Sequence, residues 1–326
     1  MRAILCKEWG NPDSLILGES DSPEPGAGEV KIRVRAAGVN YADLVLIRGQ
    51  YQEKPDFPFS PGLEGAGEVL EIGEEVTNLS VGQRVMAVTS KGAFAEEAIV
   101  PSNGIFSIPD GMDYFDAAVF PVAYGTSHLA LKERGNLKPG ETLLVLGAAG
   151  GVGLTAIECG KAIGAKVIAA ASSDEKLNLT KSYGADHTIN YLTEDLRSVV
   201  REVTDGKGVD MVYDPVGGEF SLKAMRSLAQ QGRYLVIGFA AGDIPSFPAN
   251  YLLIKNISVI GIYWGWYRTN QTEIFRKSFS ELSKWYSEGL VSPHVSQKFS
   301  LSEAPEALSV LETRKAMGRL VIDIDG

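Results

Sequence analysis

The sequence is poor in cysteine and histidine and contains no long apolar run. Its two cysteines, Cys6 and Cys159, exclude a disulfide framework and a cysteine-rich zinc site. The three histidines, His128, His187 and His294, show no spacing typical of metal ligands, so we expect no bound metal. Glycine or charged residues interrupt the apolar stretches, and none is long enough to span a membrane.

Basic residues are also in the minority, because 31 Lys and Arg stand against 41 Asp and Glu and give a net charge of -10. Such a surface repels nucleic acid, and we expect neither a nucleic-acid partner nor a membrane partner. Lys7 and Glu8 stand where a signal peptide needs apolar residues, which predicts a soluble, cytoplasmic protein. The length of 326 residues suits two domains.

The first third of the chain predicts a β-rich unit. Residues 30–36 (VKIRVRA) alternate apolar and polar side chains with a period of two, as a half-buried strand does. Similar strands are predicted at 65–72, 83–88 and 94–100, and prolines punctuate the turns between them. A last strand at 318–324 (GRLVIDI) is expected to return to this unit.

From about Tyr124 the pattern changes to strands that alternate with helices, which predicts a parallel, doubly wound sheet. The predicted helices are 152–163 and 175–183, and an amphipathic helix follows at about 273–288. We therefore predict a Rossmann domain at 124–264, inserted into a catalytic domain made of 1–123 and 265–326. The six predicted strands are 142–146, 166–171, 187–190, 209–213, 233–237 and 257–262.

A glycine-rich loop, Gly147-Ala148-Ala-Gly150-Gly151-Val152-Gly153, lies between the first of these strands and the helix that follows. It is not a literal G-x-G-x-x-G motif, although its second half keeps the Gly-x-x-Gly spacing. Small residues let the backbone approach a pyrophosphate, and the start of the helix directs its free N–H groups at the same anion. A lone glycine motif is weak, but the strand–turn–helix context favours a dinucleotide site.

The tip of the second strand indicates which dinucleotide binds. An NAD site usually has Asp or Glu there, whereas this strand ends in Ser172 and Ser173, with Lys176 one turn into the next helix. These residues suit the 2′-phosphate of NADP(H), and the alternative for Lys176 is a solvated helix face. Asp174 and Glu175 argue against this choice, but acidic residues commonly begin helices.

Taken in order, these motifs resemble the medium-chain dehydrogenase/reductase superfamily, specifically its zinc-free quinone oxidoreductase (zeta-crystallin-like) branch. The resemblance covers essentially the whole chain and implies a GroES-like catalytic domain with the Rossmann domain inserted. The motifs that carry it, beside the glycine loop, are Ala37-Gly38-Val39-Asn40 with Asp43 and Tyr51, Pro61-Gly62-Leu63-Glu64-Gly65, Gly82-Gln-Arg84-Val85, Gly125-Thr126, Gly184-Ala185-Asp186, Ile189-Asn190-Tyr191 and Gly238-Phe239.

The resemblance also implies a chemistry. Zinc-bearing relatives have a cysteine at the Asn40 position and a histidine at Leu63, and without zinc the acceptor must already be electron-poor. NADPH-dependent quinone reduction is the leading hypothesis, and an NADPH-dependent enone or enoyl thioester reductase and a non-enzymatic nucleotide-binding or crystallin-like protein remain alternatives. The resemblance implies that the cofactor-binding cleft around the nicotinamide and phosphates is lined by Asn40, Asp43, Thr126, Tyr191, Gly238 and Phe239, with Tyr263 on the nicotinamide side. A homodimer paired through Ile257–Ile262 is also expected.

Several of these residues also have ordinary structural explanations. Tyr51 matches the tyrosine near the proton-transfer site of similar enoyl thioester reductases, but it could equally be a packed aromatic residue. Asn40 could be a turn residue that satisfies local backbone groups. His128 is expected to be a packed or a solvent-facing histidine, and Cys159 a small core residue. The aromatic run that begins at Tyr263 (Tyr263, Trp264, Trp266, Tyr267) is expected to serve packing or to cover a flat aromatic substrate.

Overall fold

The computed structural model describes all 326 residues, which form two compact units. The first unit contains Met1–Val122 and Pro293–Gly326, and the second contains Ala123–Ser292. The second unit is therefore inserted into the first, as the sequence predicts. No helix combines the length and the apolar content that a membrane crossing requires.

The regular elements are numbered along the chain. The N-terminal part of the first unit contains β1 (Arg2–Leu5), β2 (Ile16–Glu19), β3 (Glu29–Val39), α1 (Tyr41–Ile47), β4 (Glu64–Ile72), β5 (Arg84–Val88), β6 (Glu97–Pro101), β7 (Ile105–Ser107) and α2 (Tyr114–Val119). Next come α3 (Pro121–His128), β8 (Thr142–Val145), α4 (Gly151–Ile163), β9 (Lys166–Ala171), α5 (Asp174–Ser182), β10 (His187–Asn190), α6 (Leu196–Val203), β11 (Val209–Asp214), α7 (Glu219–Arg226), β12 (Leu228–Val236), α8 (Ala249–Lys255), β13 (Ser258–Gly261), α9 (Trp264–Asn270) and α10 (Thr272–Ser287). The chain ends with β14 (Val295–Ser300), α11 (Ala304–Glu312) and β15 (Arg319–Asp323).

The first unit is built on a seven-stranded sheet in the order β14-β15-β3-β4-β5-β7, with β6 also paired to β3. Its strands alternate as the sequence predicts, because Val30, Ile32 and Val34 of β3 are buried on one face. The C-terminal strand β15 returns to this sheet and pairs antiparallel with β3. Both ends of the chain therefore build one hydrophobic core.

The second unit contains a six-stranded parallel sheet in the order β10-β9-β8-β11-β12-β13. The chain winds from β8 outward through β9 to β10 and then from β11 to β13 on the other side, which is the strand order of a dinucleotide-binding Rossmann sheet. The order reverses between β8 and β11, and ligands of such sheets bind beyond the carboxyl ends of the strands at this point. The doubly wound architecture is confirmed.

The predicted domain boundary after residue 264 is wrong. Residues 265–292 belong to the second unit, because the rings of Phe275 and Phe279 on α10 pack on Trp264 with centroid distances of 5.1 and 6.3 Å. Ser278 of the same helix contacts His128, which lies on α3. The amphipathic helix predicted from the sequence exists, but its apolar side packs in the nucleotide-binding unit.

Candidate active site

The glycine-rich loop connects β8 to α4 in a tight turn. Gly147 has a φ of 56°, in the left-handed region where a side chain is costly, and it accepts a 2.9 Å hydrogen bond from the N–H of Gly150. Gly153 packs directly on the backbone of Gly147 and Ala148. The small residues of the predicted motif therefore hold the start of α4 close to the end of β8.

The N-terminus of α4 has no side-chain cap, because its N-cap residue is Gly150. The first N–H groups of a helix have no partner within the helix, and the helix dipole adds a partial positive charge there. Gly151 and Val152 begin this 13-residue helix and are only half-buried. Backbone amides, small side chains and partial positive charge together fit the pyrophosphate of a dinucleotide.

Hydroxyl groups follow the end of β9, and a lysine of α5 lies beside them. The ammonium of Lys176 lies 3.5 Å from Ser172 Oγ, and Ser173 caps α5 by accepting a 3.3 Å hydrogen bond from the Lys176 N–H. The carboxylate of Asp174 accepts a 3.0 Å hydrogen bond from Asn190 Nδ2. Of the two acidic residues that argue against a phosphate, Asp174 is therefore engaged by an amide, and the serines and lysine fit a 2′-phosphate.

Tyr191 lies next to this group of residues, because its N–H donates to the carbonyl oxygen of Ala171 at the end of β9 (3.2 Å). Its ring packs on Phe220 with a centroid distance of 4.4 Å, and the ammonium of Lys223 lies 5.2 Å from the centroid of Phe220. Phe220 was not predicted from the sequence, since a single aromatic residue on α7 gives no signal of its packing partner.

A buried aspartate organises the loop after β11. The carboxylate of Asp214 accepts hydrogen bonds from the N–H groups of Val216 (2.8 Å) and Gly217 (3.0 Å), and its carbonyl accepts one from the N–H of Gly238 (3.3 Å). A β-carbon on Gly147 would lie 2.7 Å from a methyl group of Val216, so this loop packs on the glycine-rich turn. Asp214 was not predicted from the sequence either, although a carboxylate that ends a buried strand was a usable signal.

The other predicted residues of the second unit differ in exposure. Thr126 on α3 is buried, whereas Phe239, in the loop after β12, is half-buried and Tyr263, just before α9, is exposed. Within the predicted aromatic run Trp264 is buried against Phe275, so that residue serves packing.

In the first unit, Asn40 is the N-cap of α1 and is held at three points. Its N–H donates to Asp43 Oδ2 (2.8 Å), its Nδ2 donates to Glu64 Oε1 (2.9 Å), and its Oδ1 accepts from Arg319 Nη1 (3.0 Å). Arg319 also forms an ion pair with Glu64. Sequence analysis did not assign Arg319, although a charged residue that begins a buried strand was a signal.

Burial dominates the electrostatics of this cluster. It raises the pKa of Asp43 to about 7 and also raises the pKa of Glu64, while the positive charge of Arg319 opposes both shifts. Glu64 Oε2 accepts a 2.7 Å hydrogen bond from the N–H of Val122. Because Asp43 has no exposed surface, its carboxyl group contacts protein groups and supports the backbone of Asn40.

Tyr51 follows α1 in a bend and is half-buried against the hydrophobic core of the first unit. Leu63 belongs to the same core. No group of three or more His, Cys, Asp or Glu side chains in the chain is arranged to hold a metal ion.

Cys159 is buried, as predicted, and His128 is the packed rather than the solvent-facing residue of its two predicted alternatives. The imidazole Nδ1 of His128 lies 2.8 Å from Ser278 Oγ and its Nε2 lies 3.1 Å from Glu281 Oε2. Burial lowers the pKa of His128 to about 4, so the ring is neutral at pH 7.

A GroES-like sheet unit that carries an inserted dinucleotide-binding unit defines a two-domain dehydrogenase or reductase. Two family models match the chain, an alcohol dehydrogenase GroES-like domain at residues 26–110 and a zinc-binding dehydrogenase at residues 151–285. The family name mentions zinc, but residues 40 and 63 of this chain, which the resemblance aligns with zinc ligands, are asparagine and leucine.

Known proteins are similar over almost the full length of the chain. Quinone oxidoreductase-like protein 2 of Mus musculus is 42% identical over 325 residues, which cover 99% of this chain and 92% of that protein. The Escherichia coli quinone oxidoreductase complexed with NADPH has a TM-score of 0.92 at 28% identity, covering 99% and 100% of the two chains. A mycobacterial protein complexed with NADPH has a TM-score of 0.92 at 32% identity, with coverages of 99% and 100%. The chain therefore belongs to the medium-chain dehydrogenase/reductase superfamily of oxidoreductases, in its zinc-free quinone oxidoreductase branch.

Proposed function

We propose that this oxidoreductase uses NADPH to reduce quinones by hydride transfer without a metal ion. The observation that carries the proposal is the pairing, in one unit, of an uncapped glycine-lined helix N-terminus with Ser172 and Lys176 at the tip of β9. The NADPH complexes of the Escherichia coli and mycobacterial neighbours support the same cofactor.

The second unit supplies the cofactor contacts in this proposal. Bound NADPH supplies the hydride. The backbone at the glycine-rich turn binds its pyrophosphate, and the hydroxyl and ammonium groups at the tip of β9 bind its 2′-phosphate. We assign the nicotinamide side to Thr126, Gly238, Phe239 and Tyr263. The turn residues assigned to the pyrophosphate are Gly147, Ala148, Gly150, Gly151 and Val152, and those assigned to the adenosine end are Ser172, Ser173, Lys176 and Tyr191.

We assign Asn40 and Tyr51, which both belong to the first unit, to the reaction, and the carboxylate of Asp43 accepts a hydrogen bond from the N–H of Asn40. Asparagine and leucine side chains at residues 40 and 63 offer neither a thiolate nor an imidazole to zinc. A reaction without Lewis-acid assistance favours acceptors that are already electron-poor, and quinones are such acceptors. The quinone names of the relatives agree with this choice.

A substrate screen tests the function. NADPH oxidation is followed with a panel of quinones and, in parallel, with enones and enoyl thioesters. We expect the highest kcat/KM with quinones and a clear preference for NADPH over NADH. Turnover of quinones no faster than the uncatalysed reaction would remove the proposal, and a preference for enones together with a requirement for Tyr51 would establish the alternative reductase.

We further propose that the protein is a cytoplasmic homodimer joined through β13. This strand lies at the edge of the six-stranded sheet, where its outer backbone groups have no neighbouring strand. Val259 on β13 is an exposed apolar side chain, and Leu253 and Ile254 on the preceding α8 are exposed as well. Pairing of two such edges would bury Val259 across a twofold axis.

A further inference from the structure

The side chain of Asn40 sits where three strands of the first unit come together. In the antiparallel pairing of β15 with β3, Leu320 lies opposite Val39, so Arg319 lies across from Asn40. In the pairing of β3 with β4, Glu64 lies opposite Gly38. The cluster is therefore mounted on the sheet, which holds catalytic groups more rigidly than loops do.

Gly38 makes room for the carboxylate of Glu64 beside Asn40. A β-carbon on Gly38 would lie 2.8 Å from Cδ of Glu64 and 2.5 Å from the carbonyl oxygen of Ala118. Glu64 accepts hydrogen bonds from Asn40 and Val122 in addition to its ion pair with Arg319, so these donors use both of its oxygens. A carboxylate with several donors has a fixed orientation.

Arg319 and Glu64 determine which way the amide of Asn40 faces. A guanidinium only donates hydrogen bonds and a carboxylate only accepts them, so Oδ1 must face Arg319 and Nδ2 must face Glu64. The flipped amide would place N–H against N–H and oxygen against oxygen. The orientation of the amide is therefore set by its two partners.

This arrangement leaves one hydrogen-bond donor unused. The amide of Asn40 carries two N–H bonds, and no acceptor other than Glu64 contacts Nδ2. Asn40 is 5% exposed, so the unused N–H is nearly withdrawn from solvent, and a buried donor without an acceptor is unfavourable until one is provided. A substrate oxygen is an acceptor of this kind.

We propose that Arg319 and Glu64 are positioning residues that hold Asn40 so that its free N–H donates to the oxygen of the acceptor. This inference rests on the proposed function. The quinone takes up a hydride and becomes the hydroquinone anion, whose charge develops on that oxygen, and water then supplies the proton. Asn40 keeps its own protons and stabilises the developing charge through a preorganised hydrogen bond.

A double-mutant cycle tests whether Arg319 acts through Asn40. We expect Asn40→Ala and Arg319→Met each to lower kcat about 10- to 100-fold, as misplacement of a catalytic group by about 1 Å does. Because both changes remove one function, the double variant should be no slower than Asn40→Ala alone. In all three variants the dissociation constant of NADPH, measured by calorimetry, should stay within about twofold of the wild-type value, because the lost interaction acts on the reaction step.

The conservative variant and a matched control separate positioning from general stability. Arg319→Lys should recover part of kcat, since lysine keeps the charge but cannot contact Glu64 and Asn40 as a fork. Arg35→Met is the control, because Arg35 on β3 pairs with Glu68 on β4 (3.1 Å) in the same sheet, and it should leave kcat unchanged. If Arg319→Met does not fold, the double variant Glu64→Gln/Arg319→Met removes both buried charges and is used in its place.

Each result decides the question. The inference is overturned if the losses of kcat in the two single variants multiply in the double variant, or if Arg319→Met keeps full kcat. It is also overturned if Arg319→Met binds NADPH more weakly but keeps kcat, because Arg319 would then be a cofactor contact. A wild type that turns over quinones while the cycle fails leaves the proposed function standing. A wild type that reduces no quinone, enone or enoyl thioester removes both.

Discussion

A β-carbon on Gly153 would lie 2.7 Å from the α-carbon of Ala148, so the first turn of α4 packs on the glycine-rich loop with no space for a side chain. The Gly153→Ala variant must push α4 away from β8 and misalign the amides that are proposed to bind the pyrophosphate. We expect NADPH affinity to fall at least about tenfold, alongside a stability loss of about 1–3 kcal/mol from overpacking. Calorimetric titration and thermal unfolding measure the two effects.

A control for this variant lies at the far end of the same helix. Ala162→Gly lowers the helix propensity of α4 by about 1 kcal/mol but leaves the loop unchanged, so NADPH affinity should be that of the wild type. If Gly153→Ala bound NADPH as tightly as Ala162→Gly does, the loop would not be the pyrophosphate site.

The contact of Lys176 with Ser172 predicts the preference for the phosphorylated cofactor. A charge-assisted hydrogen bond contributes about 1.5–3 kcal/mol, so Lys176→Ala should weaken NADPH binding roughly 10- to 100-fold and leave NADH binding unchanged. Lys181→Ala, an exposed lysine at the other end of α5, is the matched control. Equal affinities for NADPH and NADH in the wild type and in both variants would overturn the assignment of NADP(H).

A buried carboxyl group on α4 predicts how stability changes with pH. Burial raises the pKa of Glu158 from 4.5 to about 7, against the hydrogen bonds that its oxygens accept from Tyr124 and Ser292. A carboxyl group whose pKa is higher in the folded protein than in the unfolded chain stabilises the fold when it is protonated. This stabilisation is fully present below the unfolded pKa of 4.5 and is lost as the pH rises through the folded pKa of about 7.

The Glu158→Gln variant stays uncharged throughout this range. The free energy of unfolding of Glu158→Gln minus that of the wild type should therefore increase by on the order of 2 kcal/mol as the pH rises from below 4.5 to above about 7. His128 titrates in both proteins and cancels in the difference. A difference in the free energy of unfolding that does not change with pH would show that the pKa of Glu158 is the same in the folded and unfolded protein.

The sequence predicted most of what depends on periodicity and on local motifs. Strands such as 30–36 carry their own signal in alternating side chains, and the glycine-rich turn is defined by seven consecutive residues. The family, the fold and the inserted arrangement of the domains followed from such segments and are confirmed.

Contacts between distant segments could not be predicted in this way. Arg319 and Asn40 are brought together by the register of β15 on β3, which neither segment specifies alone. The same limit explains the wrong boundary after residue 264, since the amphipathic pattern of α10 shows that one face is buried but not against which unit. Phe220 was missed for the same reason, because its partner Tyr191 follows a different strand.

The exposed edge at β13 predicts how the assembly can be disrupted. Val259 on this strand is 38% exposed and would be buried between two copies in the proposed dimer. A lysine at this position would then have to bury its charge, which costs free energy of association. Val259→Lys should therefore shift the protein from dimer to monomer in sedimentation at micromolar concentration, while Val259→Thr, of similar size and β propensity, should remain dimeric. A wild type that sediments as a monomer at this concentration would contradict the proposed dimer.

Tyr51 separates the two reductase chemistries that the site can support. Reduction of an enone needs a proton on carbon, and a positioned acid contributes about 10²- to 10⁴-fold to such a step, whereas a hydroquinone anion takes its proton from water. Tyr51→Phe should therefore keep quinone turnover within about twofold of the wild type and lower enone turnover by at least about tenfold. The control is Tyr41→Phe, which removes the phenol of a half-buried tyrosine at the start of α1 in the same region.

Tyr51 packs on the core of the first unit, so full enone turnover in Tyr51→Phe would assign it to packing alone. A comparable loss of turnover with quinones would instead make Tyr51 part of the binding site for both acceptors.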